Sequence, residues 1–224
     1  MAGRQRSTER DRRRRTLGQN FLTDRPTISR LIAGLDVRPG ELVVDLGAGN
    51  GALTLPLAGR GAEVLAVEMD PTWAGRLRDR VDRDGLSAQV HVIQCDLRRF
   101  RLPRQPYRVV ASPPFGLTTE LLARLLDEPD RGPARADLVL QAAVAHKHAA
   151  SPPQALRTAA WAPWWRFELG PRLDRSLFRP RPRVDAALLT IHRRHDSILP
   201  PALAPGFREV LRPLWPDGPA SARL

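Results

Sequence analysis

The amino-acid sequence predicts an α/β protein built on a doubly wound, mostly parallel sheet. Three observations carry this reading. Short apolar runs suited to strands alternate with amphipathic segments suited to helices, the first central run ends in a glycine-rich turn, and acidic or polar residues stand at the ends of successive runs. Leu42, Val43 and Val44 form an apolar, partly β-branched run of the kind buried on both faces of a sheet, and Gly47, Gly49 and Gly51 then alternate before a helix-like segment from Ala52 to Gly59. Glycine at these positions lets the backbone take positive φ and lets a ligand approach without meeting a Cβ atom. Asp45 stands at the end of the first run, and Glu68 closes the next, Glu63 to Val67, 21 positions after Gly47. An acid placed there accepts hydrogen bonds from the two hydroxyls of a ribose. A glycine turn after a strand also serves as plain punctuation in α/β proteins. The spacing GxGxG, followed by that acid, points to an S-adenosylmethionine site more than to a dinucleotide site, and no lysine follows the glycines, which excludes a P-loop.

Taken in order, the chain begins with Met1 to Arg15, which carries seven arginines at positions 4, 6, 10, 12, 13, 14 and 15 and no apolar period. Such a segment is expected to be disordered when free and suited to condensing onto phosphates, or to be merely a solvated tail. In Thr16 to Leu22 the amides of Gln19 and Asn20 sit between Leu17 and the pair Phe21 and Leu22, as in a loop pinned by apolar residues with two amides left to bind a ligand. Asp24 or Thr27 caps a helix to about Leu35, with Pro26 tolerated in its first turn. Strands are expected at Glu41 to Leu46, Glu63 to Val67, Gln89 to Cys95, Tyr107 to Ala111, Ala136 to Leu140 and Val184 to His192. Helices are expected at Thr72 to Asp84, Thr119 to Asp127 and near Val144 to Ala149. Asp96, with Leu97 beside it, follows the third strand, and Ser112 follows the fourth. The acids, the glycines and Ser112 therefore share one edge of the sheet, where ligands of doubly wound folds lie.

A chain of 224 residues suffices for one full α/β domain. Its formal charge is +12, and Lys147 is its only lysine, so the positive charge is nearly all arginine. Forked, permanently charged guanidinium groups favour a polyanionic partner, nucleic acid before membrane, although a GC-rich genome raises arginine, alanine, glycine and proline together. Cys95 is the only cysteine, which rules out an intramolecular disulfide and reads as a small core residue. His146, Lys147 and His148 read as surface or RNA-backbone residues. The remaining histidines are scattered without metal-binding spacing, so no metal is expected. With no long apolar run and no signal-peptide core, the protein is expected to be soluble, cytoplasmic and free of membrane contact.

The tetrad Ser112, Pro113, Pro114 and Phe115 is either a proline turn that ends a strand or a device for methylating an exocyclic amino group. That amino group is a poor nucleophile because its lone pair is delocalised into the ring. Ser112 Oγ and the Pro113 carbonyl are placed to accept its N–H bonds and align the lone pair, while the prolines stiffen the loop and Phe115 stacks on the base.

With these residues assembled, the chain resembles the Erm-type 23S rRNA adenine N6-methyltransferases of macrolide, lincosamide and streptogramin B resistance. The likeness runs from about Leu17 to Arg194 and rests on LGQNFL, VVDLGAGNGALTLPLA, VLAVEMDP, Asp96, SPPFGLTTELLARLL, DLVLQ, WAPWW and FRPRPRVDAALLTIHRR. It implies the Rossmann-like, seven-stranded S-adenosylmethionine-dependent methyltransferase fold over residues 16–195. Before it lies the arginine-rich arm 1–15, and after it a proline-rich tail, 196–224, too short for the family's helical C-terminal domain. It implies that Asn20 and Leu22 meet the methionine part of the cofactor, that Gly47 and its neighbours cradle it, that Glu68 binds the ribose and that Asp96 takes the adenine amino group. Gln19, Asp45, Gly49, Gly51, Leu97 and Ser112 complete the expected cofactor set. The implied activity is mono- or dimethylation at N6 of one adenine of 23S rRNA by a monomer. Ser112 stands where the family has asparagine, and Pro113 where it has isoleucine or leucine. Ser-Pro-Pro-aromatic is also the spelling of cytosine N4 DNA methyltransferases, so methylation of another base, or an rRNA-binding factor without turnover, are the alternative readings.

Overall fold

The computed structural model describes residues 20–215; Gln19, the arginine-rich segment 1–15 and residues 216–224 lie outside the described residues. Seven strands, β1 (Leu42–Leu46), β2 (Glu63–Glu68), β3 (Val90–Gln94), β4 (Arg108–Ala111), β5 (Arg135–Gln141), β6 (Trp165–Leu173) and β7 (Ala186–Arg193), form one sheet in the order β3-β2-β1-β4-β5-β7-β6. The first five are parallel, and β7 is inserted antiparallel between β5 and β6. The helices are α1 (Arg25–Gly34), α2 (Thr54–Ala58), α3 (Pro71–Arg83), α4 (Thr118–Leu126), α5 (Ala142–Ala149), α6 (Leu156–Trp161) and α7 (Ala204–Leu211). The predicted α/β class and sheet are therefore present. The boundaries differ by a residue or two, as is usual at frayed ends.

Local chemistry accounts for the helix starts. The Asp24 carboxylate accepts the Thr27 N–H at 3.0 Å, and Asp70 accepts the N–H groups of Thr72 and Trp73 at 2.8 and 3.2 Å; each helix has proline in its first turn, where no N–H is missed. Because side chains alternate across a strand, each strand serves two cores. Val43 and Val64 face the cluster of Ile28, Ile32, Leu57 and Leu77, while Val44, Val109 and Leu138 face Leu121, Leu125 and the three tryptophans 161, 164 and 165.

The chain runs from β1 outward through β2 to β3 on one side and then crosses back to place β4 on the other side of β1. Helices on opposite faces then diverge above these two strands, and a crevice opens beyond Leu46 and Ala111. Gly51 belongs to this architecture. Its φ of +80° is one that L side chains rarely adopt, and a Cβ there would overlap Leu77 of α3. The glycine lets the turn lie flat against a helix.

Three features have no counterpart in the sequence pattern. The seventh strand, β6, starts at Trp165 and is interrupted by Gly170 and Pro171, with a register shift between Leu169 and Arg172 that hides its alternation. Phe21–Leu22 pairs antiparallel with Phe178–Arg179, and Thr23 N–H donates to the Leu177 carbonyl at 2.9 Å, so the early loop is tied to the late proline-arginine turn. Helix α7 lies against α6, with the Phe207 ring edge-on to Trp164 at 5.8 Å, so part of the proline-rich tail is packed.

Candidate active site

The carboxyl ends of β1, β2, β3 and β4 converge on one cleft. Asn20, Leu22, Asp45, Gly47, Glu68, Asp96, Leu97, Ser112 and Pro114 all line it, which brings together nine residues that the sequence picked out from separate segments. Gly49, Gly51, Pro113 and Phe115 are not among its lining residues.

Glu68 is buried, and each of its carboxylate oxygens already holds one backbone N–H: Gly49 donates to Oε2 and Asp70 to Oε1, both at 2.8 Å. The acid thus locks the glycine loop to the end of β2 and keeps spare lone pairs on the cleft side. Gly49 works behind it. Its φ is +54°, and a Cβ would overlap the Phe21 ring, which in turn leans on Trp73 at 4.9 Å between centroids. Gly47 forms the floor, where a Cβ would meet Pro114 Cδ at 3.4 Å.

Burial governs two of the three carboxylates, Asp45 and Glu68. It pushes Asp45 up to about 7, against the Thr54 hydroxyl that donates to Oδ2 at 2.7 Å, with the nearby Glu68 charge adding to the rise. Burial also raises Glu68 above the usual carboxylate range, partly offset by the Asp70 and Gly49 N–H groups. Asp96 goes the other way, because the Arg98 guanidinium grips it through Nε at 2.9–3.0 Å and Nη2 at 2.5 Å and holds its pKa low. The expected adenine-binding acid is therefore already paired, and a ligand's amino group must share its oxygens with Arg98.

The buried Asp45 makes stability depend on pH. A carboxyl whose folded pKa of about 7 exceeds its unfolded value binds its proton more tightly in the native state, so its contribution to stability falls as pH rises from about 4 to about 7 and is level above that. The free energy of unfolding from urea titrations should drop between pH 5 and pH 8 in the native sequence by more than in Asp45→Asn, with a difference of roughly 1–3 kcal/mol. Equal drops would show that Asp45 ionises freely.

Ser112 Oγ is buried in the cleft wall and has no hydrogen-bond partner. A buried hydroxyl left unpaired costs stability, so such groups mark places where a ligand completes the bonding. The carbonyls of Pro114 and Phe115 are taken by the Leu117 N–H and the Thr118 hydroxyl, which fixes the loop after Ser112 as a single 3-10 turn. Phe115 is half-buried against the α1-side core, while Leu117 on the same turn reaches the cleft.

The pattern missed Phe21, Met69, Cys95 and Leu117, which give the cleft apolar walls. Met69 carried a signal, an apolar residue directly after the ribose-type acid; it is 39% exposed. Cys95 is half-buried, packed against the core as expected and also part of the cleft wall. His148 is no surface residue. Its Nδ1 lies 2.7 Å from the Thr158 hydroxyl and its ring stacks on Phe167, and burial pushes its pKa down to about 4. No group of His, Cys, Asp or Glu among the described residues is arranged to hold a metal.

The family model for ribosomal RNA adenine dimethylase matches residues 10–215. An rRNA adenine N-6-methyltransferase of Corynebacterium diphtheriae is 37% identical over 200 residues, 88% of this chain and 76% of the relative. The mycinamicin-resistance protein MyrB of Micromonospora griseorubida is 35% identical over 202 residues, 90% of this chain and 63% of the relative. The crystal structure of the 23S rRNA methyltransferase ErmE superposes with a TM-score of 0.75 at 29% identity, covering 86% of this chain and 77% of that one.

Proposed function

Because the chain belongs to the ribosomal RNA adenine dimethylase family, we propose that it transfers methyl groups from S-adenosylmethionine to N6 of an adenine in 23S rRNA, the modification that blocks macrolide-type antibiotics. The observation that carries the reading to this site is the buried, unpartnered Oγ of Ser112, a residue that lines the same cleft as a buried carboxylate and a glycine floor.

The residues fit the cofactor. Glu68, Gly47, Met69, Leu97, Asn20 and Leu22 all line the cleft. Glu68 would present lone pairs to the ribose hydroxyls, Gly47 would allow close approach of the backbone, Met69 and Leu97 would border the base, and Asn20 and Leu22 would hold the methionine end. Asp45 lies below the glycine loop, where ionisation of its carboxyl would balance a bound ammonium. S-adenosylmethionine supplies a methyl group made electrophilic by its sulfonium.

The chain's part is to bind, orient and exclude water. A target adenine flipped from its stack enters against Leu117, the side chain of the turn Phe115–Leu117 that reaches the cleft. Ser112 Oγ and the Pro113 carbonyl accept the two N–H bonds of the amino group and turn its lone pair into line. Orientation of this kind replaces a strong base, because the ammonium formed on transfer loses its proton readily to water.

The test is incubation with labelled S-adenosylmethionine and unmodified 23S rRNA, followed by nuclease digestion and nucleoside mass analysis. N6-methyl- or N6,N6-dimethyladenosine is the expected product; methylcytosine, which the Ser-Pro-Pro-Phe spelling would allow, or RNA binding without transfer would sink the reading. In the same assay Ser112→Ala should lower kcat about tenfold, the worth of one neutral hydrogen bond, while the affinity for S-adenosylhomocysteine stays within twofold.

A further inference from the structure

A second groove lies on the sheet edge opposite the cleft. It is bordered by the loop Arg101–Tyr107 that feeds β4, by the end of α4 and the turn after it, and by Arg193 at the end of the antiparallel β7. The pairing of Arg108 with Arg135, and of Arg135 with His192, places these segments side by side at the amino ends of the parallel strands. The groove encloses about 760 Å³, far more than a single small ion fills.

Its chemistry is cationic and incompletely satisfied. Arg101, Arg104, Arg124, Arg131 and Arg193 line it against Glu128 and Asp130, and Arg131 is paired with Glu128 at 3.1 Å. Arg124 uses its two terminal nitrogens on the carbonyls of Arg98 and Phe100, which holds the Arg101 loop against α4, but its Nε is buried without a partner. Arg193, its guanidinium over the Trp165 ring at 5.7 Å, also has a buried Nε without a partner. These two are the only guanidinium nitrogens among the buried unpaired atoms of the described residues, and both belong to this groove. Burial pushes the Arg193 pKa down, the mark of a cation with too little compensating charge. The floor is stiff: Tyr107 is buried and donates its hydroxyl to the Arg131 carbonyl at 3.1 Å, and Pro103 and Pro106 flank Arg104 in the loop.

We propose that this groove binds phosphodiester oxyanions of the RNA substrate, with Arg101 and Arg104 as exposed contacts and Arg124 and Arg193 as buried donors beneath them. The forked guanidinium matches phosphate oxygens, and a polyanion long enough to leave the cleft and reach the far sheet edge meets here a surface that needs anionic acceptors. Phosphate contacts of this type position a nucleic acid without reading its sequence. The groove is thus a second anchoring point that sets which RNA architecture is held while one base is presented to Ser112. The proposal rests on the methyltransferase reading above.

The experiment uses the full chain, with Arg101→Gln/Arg104→Gln as the variant, since both side chains are exposed and their loss leaves the core intact. Binding to a 23S rRNA fragment is titrated at several salt concentrations beside Arg60→Gln/Arg83→Gln, a pair of exposed arginines outside the groove. Loss of two phosphate contacts should weaken binding roughly tenfold near physiological salt and flatten the slope of log K against log salt by about 1–2. KM for RNA should rise by the same factor, with kcat at saturating RNA and affinity for S-adenosylhomocysteine unchanged. If the groove variant behaves like the outside pair, the groove proposal is overturned while the active-site reading stands. If the unaltered protein neither binds nor methylates the RNA, both fall.

Discussion

Replacing Glu68 by glutamine is expected to weaken cofactor binding about a hundredfold while leaving the protein folded. Its carboxylate accepts the N–H groups of Gly49 and Asp70 and, in the proposed complex, two ribose hydroxyls. An amide offers one oxygen in place of two, so its NH2 end must face either a backbone N–H or a ribose hydroxyl it cannot serve equally well. Hydrogen bonds to a charged acceptor contribute roughly 1.5–3 kcal/mol each, so losing the better part of two corresponds to that factor. Stability should change little, because the charge is buried at a cost visible in the raised pKa, and removing it offsets the weakened loop contact. Calorimetric titration with S-adenosylhomocysteine, beside a thermal melt, makes the measurement. An affinity within threefold of the native value would remove Glu68 from the ribose site.

Asp137→Ala should produce the largest loss of stability, roughly 3–5 kcal/mol in urea unfolding. Asp137 on β5 is buried at the centre of a polar cluster between strands. Its Oδ2 accepts Nε and Nη2 of Arg108 at 2.9 and 2.7 Å, and its Oδ1 accepts Arg135 Nη2 at 2.8 Å and the Thr190 hydroxyl at 2.9 Å. Arg108 is itself buried, and its Nη2 also reaches the Leu35 carbonyl at 2.6 Å, stitching β4 to the end of α1. Truncating the acid strands that guanidinium in the core, with Glu41 at 3.7 Å as its nearest carboxylate. The cost arises from the uncompensated charge more than from the bonds lost, so the double variant Arg108→Met/Asp137→Leu should recover most of it. A single-variant loss below about 1 kcal/mol would mean that Glu41 or water takes over the pairing. Because β4 ends at Ala111, directly before Ser112, the same cluster supports the loop proposed to orient the target base, and a destabilised variant should lose methyl transfer before it loses RNA binding.

The sequence by itself determined the features that local chemistry controls. Apolar periodicity marked six of the seven strands. Asp24 beside Pro26 marked the start of α1. The glycines after Leu46, and the acids and Ser112 at strand ends, marked the cleft, because in a doubly wound sheet those ends share an edge whatever the details of packing. Tertiary structure decided whatever depends on which distant segments meet. Arg98 pairs with Asp96, and Gly51 packs against Leu77. Phe178 clamps Leu22, and Cys95 and Leu117 become cleft walls while Phe115 packs behind. His148 sinks between Thr158 and Phe167, and five arginines from three segments gather in one groove. The physical reason is range: helix and strand preference and capping act over a few residues, whereas desolvation, charge pairing and the satisfaction of buried donors are set by neighbours tens of positions away. No pattern in the chain specifies those neighbours until the sheet has closed.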